Sequence, residues 1–146
     1  MPTDYLLLRT YLYGLRLKPD AVFFDIGRSA GRSLCLAARF PIRKCIGVEY
    51  NTQIAAVVNA NIAVMRGRRA DIEIHIGDGV QTDYLDGTAF YLYNPVGWRT
   101  MSAMIDAIGA SLVISPRETR IVYAMPEFEA PLASCGWLAR ISHTAP

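Results

Sequence analysis

The chain has 146 residues, enough for one domain with a buried core and too few for two. Hydrophobic residues make up 52% and charged residues 19%, a composition that excludes a disordered chain. Fifteen Lys and Arg against thirteen acids leave a formal charge of +2, so the charge balance carries no strong nucleic-acid signal. Cys35, Cys45 and Cys135 are odd in number and set among apolar residues, which suits reduced thiols of a cytoplasmic protein and points to no metal site. No segment approaches the roughly 18 apolar residues of a membrane span, and the start is too polar for a signal peptide.

Leu6, Leu7, Tyr11, Tyr13, Leu15 and Leu17 lie mostly at helical spacing before Pro19, so residues 4–16 read as a leading amphipathic helix. Residues 21–25, Ala-Val-Phe-Phe-Asp, are a short apolar run between Pro-Asp and glycines, the mark of a buried parallel strand. A helix over residues 32–40 ends at Pro41, and a second strand covers 45–48. Residues 52–65 read as a helix with Ile54, Val57, Val58, Asn61, Ile62 and Met65 on one side. A third strand over 72–76 stops at Gly77-Asp78-Gly79, and a fourth over 89–93 stops at Asn94-Pro95. A helix over 101–114 and a fifth strand over 120–124 follow, then a short helix around 128–133 and a sixth strand around 137–142. Strands alternating with helices over the whole length predict one α/β domain, residues 1–146, with a mainly parallel sheet and helices on both faces.

In an open α/β sheet, ligands gather at the carboxyl ends of the strands. After the first strand comes Asp25-Ile26-Gly27-Arg28-Ser29-Ala30-Gly31, a small-residue turn through which a ligand reaches the backbone closely. A turn of this kind is also common as plain tight packing. Glu49 ends the second strand, about twenty residues beyond Gly27, where an acid accepts hydrogen bonds from ribose hydroxyls. Both features fit a nicotinamide dinucleotide as well as S-adenosylmethionine. Three others favour the methyl donor: Asp25 puts a carboxylate at the mouth of the turn, unfavourable to a pyrophosphate and suited to an ammonium group; Asp78 offers a carboxylate to an exocyclic amine; and Asn94 offers an amide oxygen at the middle of the site.

The series D-I-G-R-S-A-G-R, I-G-V-E, G-D-G and Y-N-P-V-G, running in order over nearly the whole chain, resembles the motifs of class I S-adenosylmethionine-dependent methyltransferases. More narrowly it is similar to small bacterial members with D-x-G-C-G-K-G-R, N-P-F-G and P-R-x-x-x-I-V-Y, distant relatives of the non-SET histone-lysine methyltransferases. The resemblance implies a three-layer Rossmann-like fold in which Asp25, Gly27, Ser29 and Gly31 surround the methionine part, Glu49 holds the ribose and Asp78 meets the adenine. It places Asn94 and Pro95 at the methyl-transfer position. It also makes residues 1–19 a lead-in that folds over the cofactor, with Thr3 and Tyr5 as lid contacts.

The chain departs from that pattern at Ser29 and Ala30, where Gly and Lys are usual, at Val96, and in a shortened C-terminal end, which raises the expectation of a homo-oligomer or a partner subunit completing the site. The methyl acceptor, a small molecule or a protein side chain, is not named by any motif. A non-catalytic protein that keeps the fold as a scaffold, and a nicotinamide-dependent oxidoreductase, are the competing expectations. His75 reads as a partly buried strand residue, and Arg66, Arg68 and Arg69 as a solvated cluster complementing a helix end.

Overall fold

A computed structural model of the chain describes residues 5–27, 31–93, 98–124, 132 and 134–140. The elements in order are α1 (Tyr5–Gly14), β1 (Val22–Gly27), α2 (Arg32–Ala37), β2 (Lys44–Glu49), α3 (Thr52–Val64), β3 (Asp71–Ile76), β4 (Ala89–Tyr93), α4 (Trp98–Ile114) and β5 (Arg120–Ala124). The strands form one sheet in the order β3-β2-β1-β4-β5, every neighbouring pair parallel. This is the three-layer Rossmann-like arrangement that the alternating pattern predicts.

Alternation along the strands sorts the core into two layers. Phe23, Cys45, Tyr91 and the partly buried Val122 point to one face, under Leu8 and Leu12 of α1 and Leu34 and Ala37 of α2. Val22, Phe24, Ile26, Ile46, Val48, Phe90 and Leu92 point to the other, under Met101, Met104, Ile105 and Ile108 of α4. Cys45 is fully buried, and burial, with the charge of Asp25 second, pushes its thiol up to about 12. All three cysteines are free; Cys35 and Cys135 are only half-buried.

Several expectations need correction. α2 closes at Ala37, and turns carry the chain to Pro41, because Arg39 and Phe40 bond three residues back instead of four. On α3 the buried residues are Ala55 and Val58, and Ile54 and Val57 are exposed: an uncharged helix leaves several faces that hydrophobic spacing alone does not tell apart. Residues 134–140 form turns, with no strand; Trp137 instead packs its ring against Gly109 of α4, where a Cβ would stand 2.5 Å from Nε1. His75 is exposed on β3 and lies 3.0 Å from Glu73, on a strand whose second face no helix covers among the described residues. Except for Leu132, the segment 128–133 lies outside the described residues.

No helix joins β3 to β4. Residues 77–88 cross the second face as a loop, and Tyr84 anchors it: its ring meets Phe24 and Phe90 edge-on at 5.1 and 5.7 Å, and its hydroxyl donates to the Gly79 carbonyl at 2.5 Å. Arg117 then ties the loop to the end of α4. Its Nε donates to Gly87 O, Nη1 to Ser115 O and Ser111 O, and Nη2 to Tyr84 O and Ser111 Oγ, over 2.6 to 3.2 Å. A guanidinium has five N–H donors, and all five are used.

Arg117→Met strands these acceptors and should lower the unfolding free energy by about 3 kcal/mol. Arg117→Lys, with three donors, should recover only part of the loss. Urea midpoints read both, and an unchanged midpoint in Arg117→Met would show that the clamp contributes nothing.

Candidate functional site

Because all five strands run the same way, their carboxyl ends share one edge of the sheet. The register aligns Gly27 with Tyr93 and Tyr93 with Ala124, and Ile26 with Val48 and Val48 with His75. The described strand ends that precede the predicted residues therefore share one rim.

Asp25 sits just inside that rim, 5% exposed, beside Gly47 on β2 and Tyr91 on β4. Its Oδ1 is buried and accepts no hydrogen bond from the described residues.

Two glycines shape the space in front of it. Gly31 opens α2 at φ 81°, in the left-handed region, and a Cβ there would stand 2.8 Å from Val58 Cγ1. At Gly47 a Cβ would stand 2.6 Å from Leu34 Cδ1 and 3.0 Å from Ile74 Cδ1. The bare backbone at Gly47 lets Leu34 of α2 approach the sheet, and that at Gly31 lets Val58 of α3 approach the start of α2. Asp25, Gly31, Leu34, Gly47, Val48, Glu49, Val58 and Ile74 together line a cavity of about 20 Å³, room for one small polar group, with the open rim above it.

Glu49 ends β2 and is half-buried. One carboxylate oxygen, Oε1, accepts from Asn51 N at 2.9 Å, and Asn51 in turn caps α3, its Oδ1 accepting from Gln53 N at 2.8 Å and Ile54 N at 3.2 Å. The acid is thus held in position by the turn it precedes. Gly77 N donates to Glu49 O at 2.9 Å, which fixes the next strand end beside it. Asp78 follows, exposed, in a tight turn: Oδ1 accepts from Val80 N at 2.9 Å, and its carbonyl accepts from Gln81 N and Thr82 Oγ1.

Of the predicted site residues, Asp25, Gly31 and Glu49 line one cavity, and Asp78 lies on the adjoining strand end. Gly27 closes β1 opposite Tyr93, and Tyr5 begins α1. Thr3, Ser29, Asn94 and Pro95 lie outside the described residues. Sequence reasoning missed Gly47, Leu34, Val58 and Ile74. A glycine inside a strand, two residues before the predicted acid, was the available signal for Gly47. It also passed over Tyr50 and Ile76, exposed apolar side chains on either side of Glu49, the first by sequence and the second by register.

Among the described residues, no helix is long and apolar enough to cross a membrane. No protein family model matches the chain, and no curated protein matches it. Solved structures do. An RNA methyltransferase from Salinibacter ruber, in complex with S-adenosyl-L-homocysteine, is 23% identical with a TM-score of 0.57, over 64% of this chain and 60% of that one. Precorrin-6y C5,15-methyltransferase from Geobacter metallireducens is 21% identical with a TM-score of 0.67, over 83% and 62%. A SAM-dependent methyltransferase from Geobacter sulfurreducens, in complex with S-adenosyl-L-homocysteine, is 19% identical with a TM-score of 0.64, over 84% and 48%. The chain spans about three fifths of the length of the first two. At these identities the likeness is one of fold.

Gly31→Ala should cost about 2 kcal/mol or more, from the left-handed backbone and the collision with Val58. Adding Val58→Ala removes the collision, so urea unfolding of the double variant should show a loss smaller than the sum of the two single losses. Strict additivity would mean that α3 does not press on the turn.

Proposed function

We propose that the chain binds S-adenosylmethionine at the carboxyl rim of the sheet and transfers its methyl group to an acceptor, a nitrogen in preference to an oxygen. The observation that carries this reading is that Asp25, Gly31 and Glu49 line one cavity at the rim. The likeness to methyltransferase folds, two of them holding S-adenosylhomocysteine, supports it.

The residues suit the ligand by charge and shape. A buried carboxylate lining a cavity the size of one small group suits an ammonium by charge and by size. Glu49 keeps its second oxygen out of the bond to Asn51 and would take the ribose hydroxyls. Asp78 would accept from the purine amine, with Tyr50 and Ile76 as apolar flanks for its ring. Gly27 and Ser29 would complete the turn around the methionine part, and Thr3 and Tyr5 the lid.

Bound S-adenosylmethionine supplies an electrophilic methyl on a sulfonium centre. The chain's own contribution is alignment and exclusion of water. Asn94 would accept a hydrogen bond from an acceptor amine through its side-chain oxygen, and the Pro95 ring would fix the turn that presents it. A neutral amine needs no general base for the displacement, and its proton leaves to solvent after transfer.

Calorimetry with S-adenosylhomocysteine should show saturable binding, weakened about tenfold or more in Glu49→Ala, which corresponds to ~1.4 kcal/mol. No heat at millimolar ligand, or tighter binding of NADH, would overturn the reading. A non-catalytic binding role, favoured by Ser29 where a glycine is usual, predicts binding without methyl transfer to any amine tested. If that position takes a left-handed backbone, Ser29→Gly should tighten S-adenosylhomocysteine binding about fivefold by relieving ~1 kcal/mol of strain.

A further inference from the structure

The formal charge of +2 is not spread evenly over the fold. The segments that lead into the five strands, residues 15–22, 38–45, 65–72, 83–89 and 115–121, hold ten of the fifteen Lys and Arg and five of the thirteen acids. Because all five strands are parallel, these segments share the amino-terminal edge, which carries +5 while the rest of the chain carries −3. Part of that edge is neutralised: Lys44 pairs with Asp86 at 3.3 Å, Arg120 pairs with Glu118 at 3.4 Å, and Arg117 is engaged in the carbonyl clamp.

Main-chain bonds gather the remaining cations. Arg69 N and Ala70 N both donate to Ala38 O, at 2.7 and 3.0 Å, which brings the loop after α3 against Arg39 at the end of α2. The register that pairs Lys44 with Asp71 sets Arg43, one residue earlier, next to the end of the same loop. Arg39, Arg43, Arg66, Arg68 and Arg69 are all exposed, and none is in an ion pair among the described residues. Asp20 and Asp71 are the acids nearest to them in the joining segments. Asp71 points away from α2, because Ile72 and Ile74 take the side of the strand that packs on the α2 cluster. An aromatic borders the arginines: Tyr13 of α1, 56% exposed, meets Phe40 edge-on at 5.6 Å, and Phe40 follows Arg39. Arg9 lies over the same Tyr13 ring, 5.5 Å from its centroid.

We propose that this part of the amino-terminal edge binds single-stranded nucleic acid, the five guanidinium groups holding phosphates and Tyr13 stacking on a base. A guanidinium fork takes two phosphate oxygens at once, where an ammonium acts as a point charge, and all five cations of the cluster are arginines. An exposed ring beside a cation cluster is the combination that single strands engage, since their bases present π faces that a duplex keeps stacked. An acidic peptide or an anionic membrane would use the charges and leave the ring without a role. The site proposed for S-adenosylmethionine lies at the opposite edge of the sheet, and this inference does not depend on it.

Fluorescence anisotropy with labelled oligouridylate and oligothymidylate of about 20 nucleotides, between about 50 and about 200 mM KCl, should show binding whose logarithmic salt slope is about −3.5, as five phosphate contacts require. The combined Arg66→Gln, Arg68→Gln and Arg69→Gln variant should bind at least about tenfold more weakly and lose about 2 from the size of that slope. Tyr13→Ala should weaken binding about fivefold or more at an unchanged slope, and Tyr13→Phe, which keeps the ring, should bind like the parent. All these positions are exposed, so circular dichroism of each variant should match the parent. Tighter binding of oligouridylate assigns RNA, and tighter binding of oligothymidylate assigns DNA. No binding of either at about 100 µM protein in about 50 mM KCl overturns the proposal, as does binding indifferent to the arginine variant. Equal affinity for a duplex of the same length, or a Tyr13→Ala variant that binds like the parent, overturns the single-strand assignment. Polyglutamate that displaces the oligonucleotide equally well, or co-sedimentation with phosphatidylglycerol vesicles of a chain that binds neither oligonucleotide, overturns it in favour of an acidic protein or a lipid surface.

Discussion

The close packing of α2 on the sheet and of α3 on the start of α2 is the contact on which the carboxyl rim depends. It exists because two positions lack a side chain: Leu34 and Ile74 fill the space a Cβ would take at Gly47, and Val58 the space it would take at Gly31. Move either helix outward by the width of a methyl group and the wall in front of Asp25 opens to solvent. The buried carboxylate would then be an ordinary hydrated one, and the geometry that distinguishes this rim from any other α/β sheet edge would be lost.

The two faces of the sheet are finished differently. The first is roofed by helices, whereas among the described residues the second has α4, the Tyr84 loop and the segment near Leu138. The uncovered part falls on β3, whose outward side is Asp71, Glu73 and His75. Charge on an edge strand discourages pairing with another chain, so the bare face is also a protected one. Strand β5, the opposite edge, carries Ile121, Val122 and Tyr123 half-buried.

Most of the fold was legible because β1, β2, β4 and β5 are mainly short apolar runs and β3 alternates isoleucine with polar residues, and those signals are local. Glu49 and Asp78 were legible for the same reason, being the first polar residues after such runs. What stayed hidden depends on partners distant in sequence. Nothing near Gly47 reveals that Leu34 will fill its space, and nothing in α3 tells Ile54 from Ala55 when both sides are apolar. Trp137 reads as a strand residue, but its ring finds Gly109 and the segment settles as turns. His75 looked partly buried because its neighbours are isoleucines, and only the missing helix between β3 and β4 leaves it exposed.

Arg117 grips main-chain carbonyls and one hydroxyl, with no carboxylate among its hydrogen-bond partners, and it does so at the amino-terminal edge, beneath the starts of β4 and β5. The fastening of the chain and its proposed site therefore occupy opposite poles. Turns at the rim can lengthen or exchange residues while the lower edge keeps the strands in place, a division of labour that lets the upper edge vary without the scaffold failing.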